Sequence, residues 1–548
     1  MTTTIYHNAT MFTANSEQPT ADAFAVSDGR FIAVGTVEQV RSAAGATDPS
    51  GGVREVDLDG RFVAPGVIDS HTHLMSFGDS IGRVQLRDCA SLSEIQDRLV
   101  AAREDAPNAP RVLGVSWLFD AVGVDRPTAE MLDAVLPDVP VYLDANDLHS
   151  VWVNSAALAE LGITRDTPDP IGGEIARDAE GEATGMLYET AATQYAWPFL
   201  SDSVTAEDRI GFLDSAFEAY LEVGVTTVTE MSLNQSEVDG LLAIVERDGR
   251  LPFPVTAHWI VEPSGDAAQD LERIRDIAVL RDRLAESEAA PWLRVAGVKF
   301  IMDGVIDACT ATMLAPYADG SNADPIWSRE RILPVAAEAD RLGLQIAMHA
   351  IGDRTSEIAL DAIAHCIQEN GPRARRHRIE HLESVADSTI ARMAELGVIA
   401  SMQPVHCDPA VLDNWKAMLG DERQEQGFPW QKFRELGVPM TLGTDAPTAP
   451  HHSLPNLYIA LTGGSVLAPS RDPYHPERAF DPSDALAAFT AGGAFAGEME
   501  HECGSIRPGL AANFIVLDVD PLRDSPEELL EAGVLSTYVR GERRYAAR

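Results

Sequence analysis

The feature that most restricts what this chain can fold into is a recurrence of short apolar, β-branched runs, each followed by an Ala-, Leu- and Glu-rich stretch of helical character. The runs are VTTVTEM, PVTAHWIV, RVAGVKFIM, LQIAMHAIG, RRHRIEHLE, GVIASMQPV and VPMTLGTDA. Repeated strand-helix units imply an α/β fold with a parallel sheet covered by helices. With VAPGVIDSHTH as the first strand there are about eight units, the number that closes a (β/α)8 barrel. An open doubly wound sheet is the alternative. It fits less well, because no GxGxxG follows the first strand and the polar residues fall at the carboxyl ends of many strands.

The two chain ends obey a different grammar. TIYHNATMFTA, AFAVSDGRFIAVG and REVDLDGRFVAPG alternate apolar with polar residues and break at Asp-Gly pairs, as hairpin strands do, and GLAANFIVLDVDP and VLSTYVRGERRYAA read the same way. Residues 1–60 and 505–548 are therefore expected to form one composite β-sandwich, with the barrel over 61–504. Residues from about 80 to 205 are too many for one strand-helix connection and predict an inserted subdomain or lid.

Composition limits the partners. The 42 Lys and Arg face 85 Asp and Glu, for a formal net charge of -43, so neither nucleic acid nor an anionic membrane is an expected partner. No run approaches a membrane span, and the first residues lack the pattern of a signal peptide, which makes the cytoplasm the expected location. Cys89, Cys309, Cys366, Cys407 and Cys503 are scattered without a CxxC and read as free thiols. Only three residues are lysine, namely Lys299, Lys416 and Lys432, which singles out any lysine inside an apolar strand.

The chemistry collects at strand ends. VAPGVIDSHTHL ends in His71 and His73, and residues two apart on a strand share a face, so both imidazoles can address one metal ion. LQIAMHAIGD delivers His349, RRHRIEHLES delivers His381, and VPMTLGTDAP delivers Asp445. Each alone reads as a satisfied histidine or a helix cap; together, at the carboxyl face of a barrel, they read as a metal site. Lys299 sits among Val295, Val298, Phe300 and Ile301. Burial lowers a lysine pKa, and a neutral amine can take up carbon dioxide as a carbamate. A snorkelling lysine or an ion pair to Asp303 is the competing reading.

The ordered motifs PGVIDSHTH, VKFIMDG, MHAIGD, RIEHLE and LGTDAP resemble the amidohydrolase superfamily over nearly the whole chain, especially its amidohydrolase-3 branch, which includes N-substituted formamide deformylases. The resemblance implies that His71 and His73 bind a first divalent ion with Asp445, that His349 and His381 bind a second, and that carboxylated Lys299 bridges both. Zinc is the expected metal. It further implies hydrolysis of a small non-peptide amide of N-formyl, N-acyl or carbamate type by a metal-bridging hydroxide, with Asp445 as general base and then acid. Two other readings remain: a deaminase or deformylase of the same fold with one metal and an unmodified Lys299, and a non-catalytic metal-binding scaffold.

Substrate contacts are expected from Trp117, from His149, Trp152 and Asn154 in DLHSVWVNSAAL, and from His406 in SMQPVHCDP. Asp303, Asp353 and Glu380 are expected to brace the ligands from behind. The size of the chain and the resemblance are compatible with a homodimer.

Overall fold

The computed structural model describes residues 3–47, 52–124, 126–146, 148–170 and 173–548; residue 147 of the DLHSVWVNSAAL motif lies outside these. The chain divides into two units, residues 1–73, 217–446 and 450–548, and residues 74–216 with 447–449. The inserted unit thus begins and ends some residues outside the 80–205 expected for it.

The larger unit holds eight parallel barrel strands: β1 (Val67–Thr72), β2 (Val225–Leu233), β3 (Val255–Ile260), β4 (Leu293–Ile301), β5 (Gln345–Ala350), β6 (Arg378–His381), β7 (Ile399–Met402) and β8 (Met440–Leu442). Each pairs with its neighbours in sequence order. All six residues of β1 and all four of β6 and of β7 are buried, as strands covered on both faces are. Helices follow the strands and start on polar caps: Asn234 accepts from the Glu237 amide ahead of Gln235–Asp248, and Asp266 accepts from the Ala268 amide ahead of Ala267–Ala285.

β8 closes on β1 without a regular ladder. The Asp445 amide donates to the His71 carbonyl at 2.7 Å, the His73 amide donates to the Ala446 carbonyl at 2.9 Å, and the Thr444 amide donates to Asp69 Oδ1 at 2.9 Å. Backbones approach closely elsewhere too. A Cβ added to Gly297 on β4 would lie 1.8 Å from the Gln345 carbonyl oxygen of β5, inside any van der Waals contact. Gly297→Ala is expected to destabilise the barrel by about 1–3 kcal/mol or more, the usual cost of overpacking; a lowered urea midpoint is the readout, and an unchanged one contradicts the close approach.

The chain ends meet in the composite β domain expected of them, whose strands are linked in a single curled sheet. Its order is Glu542–Ala546, Val534–Val539, Phe514–Leu517, Phe62–Pro65, Thr4–Phe12, Thr20–Ser27, Arg30–Gly35, with Arg54–Asp57 also on Thr4–Phe12. A register shift between His7 and Met11 lets the two halves of the long first strand take different partners, Arg54–Asp57 and Phe62–Pro65. The sheet curls enough that Phe24 and Phe514, three strands apart in pairing order, have ring centroids 4.8 Å apart. Tyr6, Phe31 and Tyr538 pack into the same cluster, whereas Ala23 and Ala25, on the opposite face of their strand, pack against Val40 and Ala44 of the helix Val37–Thr47. The sheet also runs on to Pro65, beyond the boundary expected at residue 60.

The inserted unit has its own six-stranded sheet, in the order Gly173–Arg177, Ala183–Glu189, Ser150–Val153, Val141–Ala145, Val112–Trp117, Val84–Gln85. The last three are mutually parallel and the first three join antiparallel. Among the described residues no helix is long and apolar enough to cross a membrane.

Candidate metal centre

Strand ends β1, β4, β6 and β8 bring His71, His73, Lys299, His381 and Asp445 together. His71 is fully buried; its Nδ1 donates to Glu380 Oε2 at 2.7 Å, so its Nε2 carries the lone pair and faces Asp445 Oδ1 at 3.3 Å. His73 repeats the arrangement. Its Nδ1 lies 2.9 Å from Ser232 Oγ, whose hydroxyl donates to Glu230 Oε1 at 3.0 Å, and its Nε2 is 3.0 Å from Asp445 Oδ1. Lys299 Nζ is 3.3 Å from His71 Nε2 and buried. It makes no ion pair with Asp303 among the described residues. The Asp303 carboxylate is taken up by the amides of Ile351, Gly352 and Thr312 at 3.1, 2.9 and 3.0 Å.

The electrostatics suit a cation. Burial, then the Lys299 charge, pushes His71 down to about 4, so its imidazole is neutral. Burial likewise lowers His381 and Lys299. Burial would raise Asp445, but His71 and His73 hold it well below the carboxylate range, and it stays ionised. Burial would also raise Glu380; Arg378 outweighs it, donating Nε to Oε1 at 2.6 Å. Imidazoles gathered around one carboxylate are the donor set of a divalent first-row ion. His71, His73 and Asp445 each offer an atom within 4.8 Å of the others, and so do His381, His406 and Asp445. The Nδ1 of His381, 3.9 Å from Asp445 Oδ2, is buried without a hydrogen-bond partner. The residues present therefore fit a divalent metal.

The backbone is strained where the ligands turn inward. His381 and Leu382 have φ of 74° and 54°, and Asp445 has 62°, all in the left-handed region that costs an L-residue free energy and that functional sites retain.

The Amidohydrolase family model matches residues 54–545, almost the entire chain. The chain belongs to the amidohydrolase family. With the family come its class and cofactor: this amidohydrolase is a hydrolase acting on carbon-nitrogen bonds and takes a divalent metal. It is 30% identical to the protein LONG AFTER FAR-RED 3 of Arabidopsis thaliana over 98% of this chain and 91% of that one. It is 29% identical to an N-substituted formamide deformylase of Arthrobacter pascens over 98% and 97%. A crystal structure of an uncharacterised metal-dependent hydrolase from Pyrococcus horikoshii superposes with a TM-score of 0.75, at 27% identity, over 96% of this chain and 99% of that one.

Other expected site residues of the amidohydrolase fall elsewhere. His349 stands beside His381, with ring centroids 4.4 Å apart, and donates Nε2 to the Gly304 carbonyl at 3.2 Å, which leaves Nδ1 as its basic atom. Asp303 is 3.5 Å from that Nε2, behind the ring as expected, and burial pushes its carboxyl up to about 7. Asp353 does not reach the ligands. It accepts from the Leu314 amide at 2.7 Å and ties the loop after β4 to the helix Asp353–Asn370.

Trp117, Trp152 and Asn154, expected as substrate contacts, are buried in the inserted unit with their polar side-chain atoms on backbone. Both indoles are fully buried in one cluster and donate to the carbonyls of Leu143 and Thr128, each at 3.0 Å. Asn154 caps the helix Ser155–Leu161 and uses both amide atoms on backbone: Oδ1 accepts from Val141 and Ala157, and Nδ2 donates to Leu136 and Val139. Trp152→Ala is accordingly expected to cost about 3–5 kcal/mol of stability and to leave KM unchanged in the folded fraction. A raised KM at unaltered stability would return Trp152 to the substrate. His149 is partly exposed in the same unit, its Nδ1 2.8 Å from Glu189 Oε2.

Three supports went unread in the sequence: Asp69, Glu383 and the Ser232–Glu230 pair. Asp69 accepts from the amides of Thr444 and His71 and from the Tyr220 hydroxyl at 2.9, 3.2 and 3.1 Å. Burial, opposed by the Thr444 contacts, pushes it up to about 6. The signal available was spacing, since Asp69 lies two residues before His71 and Glu383 two after His381.

Proposed function

We propose that this amidohydrolase cleaves the carbon-nitrogen bond of a small non-peptide amide of N-formyl, N-acyl or carbamate type. The observation that carries the reading is the Asp445 carboxylate, buried at the carboxyl ends of the barrel strands with the Nε2 atoms of His71 and His73 at 3.3 and 3.0 Å from its Oδ1. In this reading His71, His73 and Asp445 hold one divalent ion, and His349, His381 and Lys299 hold another, with zinc the expected metal. What such ions supply when bound is Lewis acidity and a water acidic enough to react near neutral pH. Burial lowers the Lys299 pKa, and its amine, once neutral, can take up carbon dioxide as a carbamate, releasing one proton and offering a carboxylate to the ions. Glu380 and Ser232 fix the tautomers of His71 and His73. Asp445 accepts the proton of the attacking water and then delivers it to the nitrogen that departs, so the amine leaves neutral.

The partner in this reading is a small-molecule amide. The acidic composition argues against nucleic acid and anionic membrane surfaces, the cytoplasm is the proposed location, and a homodimer is compatible with the size of the chain.

The deciding experiment pairs elemental metal analysis of the wild type and Lys299→Ala with turnover on a panel of formamides, N-acyl amines, carbamates, esters and lactams. Two ions, falling to one or none in the variant, with turnover of an amide or carbamate, support the reading. One ion that the substitution leaves unchanged, with turnover, moves the enzyme to the one-metal deaminase or deformylase reading. No turnover anywhere on the panel by fully loaded protein overturns hydrolysis and favours a scaffold.

A further inference from the structure

His406 lies in the short helical turn Pro404–Cys407 just beyond β7, and it has the same arrangement as His71 and His73. Its Nδ1 donates to Glu383 Oε1 at 2.9 Å, and its Nε2 faces Asp445 Oδ2 at 3.6 Å. In three imidazoles, then, Nδ1 is held by an oxygen acceptor and Nε2 is aimed at one carboxylate. The ligand atoms of His381, His406 and Asp445 lie within 4.8 Å of one another, a spacing that a single cation can span. The His406 and His381 rings are parallel to within 6°, with centroids 5.8 Å apart, and His381 presents its buried Nδ1 to the same oxygen, Asp445 Oδ2.

Purely structural histidines in this barrel are built differently. His377 uses both ring nitrogens on protein atoms, Nε2 with Asp340 Oδ1 at 2.9 Å and Nδ1 with the Ile346 amide at 3.1 Å. His258 spends its Nε2 on Gln345 Oε1 at 2.8 Å and leaves its Nδ1 buried without a hydrogen-bond partner. Neither points a ring nitrogen at a ligand carboxylate.

We propose that His406, oriented by Glu383, is a metal ligand that forms with His381 and Asp445 the second cation site of this enzyme. The assignment rests on the metal-dependent reading above and extends its second site: His406 joins the ligands proposed there, and Asp445, which holds the first cation through Oδ1 with His71 and His73, reaches the second through Oδ2. Glu383 is a positioning residue, acting only through the His406 ring.

The test is binding of Zn2+ and Co2+ to chelator-stripped full-length protein, followed by calorimetry and by the visible absorption of bound Co2+. Wild type is compared with His406→Ala, Glu383→Gln and His71→Ala. His406→Ala is expected to weaken one of two ions by tenfold or more and to change the Co2+ spectrum, while the other ion keeps its affinity. Glu383→Gln keeps the volume and hydrogen-bonding capacity of the side chain and is expected to weaken the same ion by about 10–100-fold, the usual effect of removing the carboxylate behind a histidine ligand. His71→Ala should affect the other ion. If His406→Ala does not fold, as judged by near-ultraviolet circular dichroism, Glu383→Gln carries the test. Wild-type isotherms and an unaltered Co2+ spectrum in the folded variants overturn the assignment, and so does a single wild-type ion that both substitutions leave unchanged. Failure of the hydrolase reading would look different, as normal metal binding with no turnover on the amide panel.

Discussion

Asp445→Asn is expected to lower kcat by roughly 10²–10⁴-fold, the range for losing a group that transfers protons in the transition state, while the unfolding midpoint moves little. Asparagine is the substitution that isolates the chemistry. It is among the residues that best tolerate a left-handed backbone, and position 445 has φ 62°. It also keeps the backbone amide that closes β8 on β1 through the His71 carbonyl. Its side chain retains one acceptor oxygen but has no basic atom to receive a proton at neutral pH. Steady-state kinetics on the best amide of the panel, with metal content measured alongside, gives the result. Full activity in the metal-loaded variant would remove Asp445 from proton transfer.

The second large effect concerns stability. Arg378 and Glu380 are both fully buried two residues apart on β6, and Arg378 donates to Glu380 Oε1 at 2.6 Å, to Glu380 Oε2 at 3.0 Å and to the Ser70 carbonyl at 2.8 Å. Arg378→Met keeps most of the volume but leaves a carboxylate in the dry interior with the His71 Nδ1–H group still donating to it. Breaking a buried pair from one side costs about 3–5 kcal/mol. A urea midpoint well below wild type is the expected measurement, and an unchanged midpoint would mean that water reaches Glu380. The loss should also reach the metal, because Glu380 fixes the tautomer of His71, so weaker binding of the first ion is expected to accompany it.

The barrel could be read from the sequence because its strands are buried on both faces and their apolar runs are continuous. The strand-end cluster could be read because HxH, His, His and Asp each fall at the end of a strand. What escaped was everything that depends on how a loop returns. Asp353 follows His349 in MHAIGD and looked like its support, yet the loop after β4 captures it through the Leu314 amide, and Asp303 stands behind His349 instead. The aromatic residues of the insertion looked like pocket walls because a one-dimensional pattern cannot separate an indole facing a ligand from one facing a core. Trp117 and Trp152 spend their ring N–H groups on backbone carbonyls. His406 was visible as a strand-end histidine, but its likeness to His71 and His73 depends on Glu383, which reaches it only in three dimensions.

The rolled sheet sets a timetable for synthesis. Phe62–Pro65 needs Phe514–Leu517 as its neighbour, and that strand leaves the ribosome roughly 450 residues later, about 20–90 s at 5–20 residues per second. During that interval the ring faces of Tyr6, Phe24 and Phe31 have no C-terminal strands to cover them. The nascent chain therefore carries an uncovered aromatic surface for most of its translation, a standing invitation to chaperones, and a product truncated before Phe514 would never lose it.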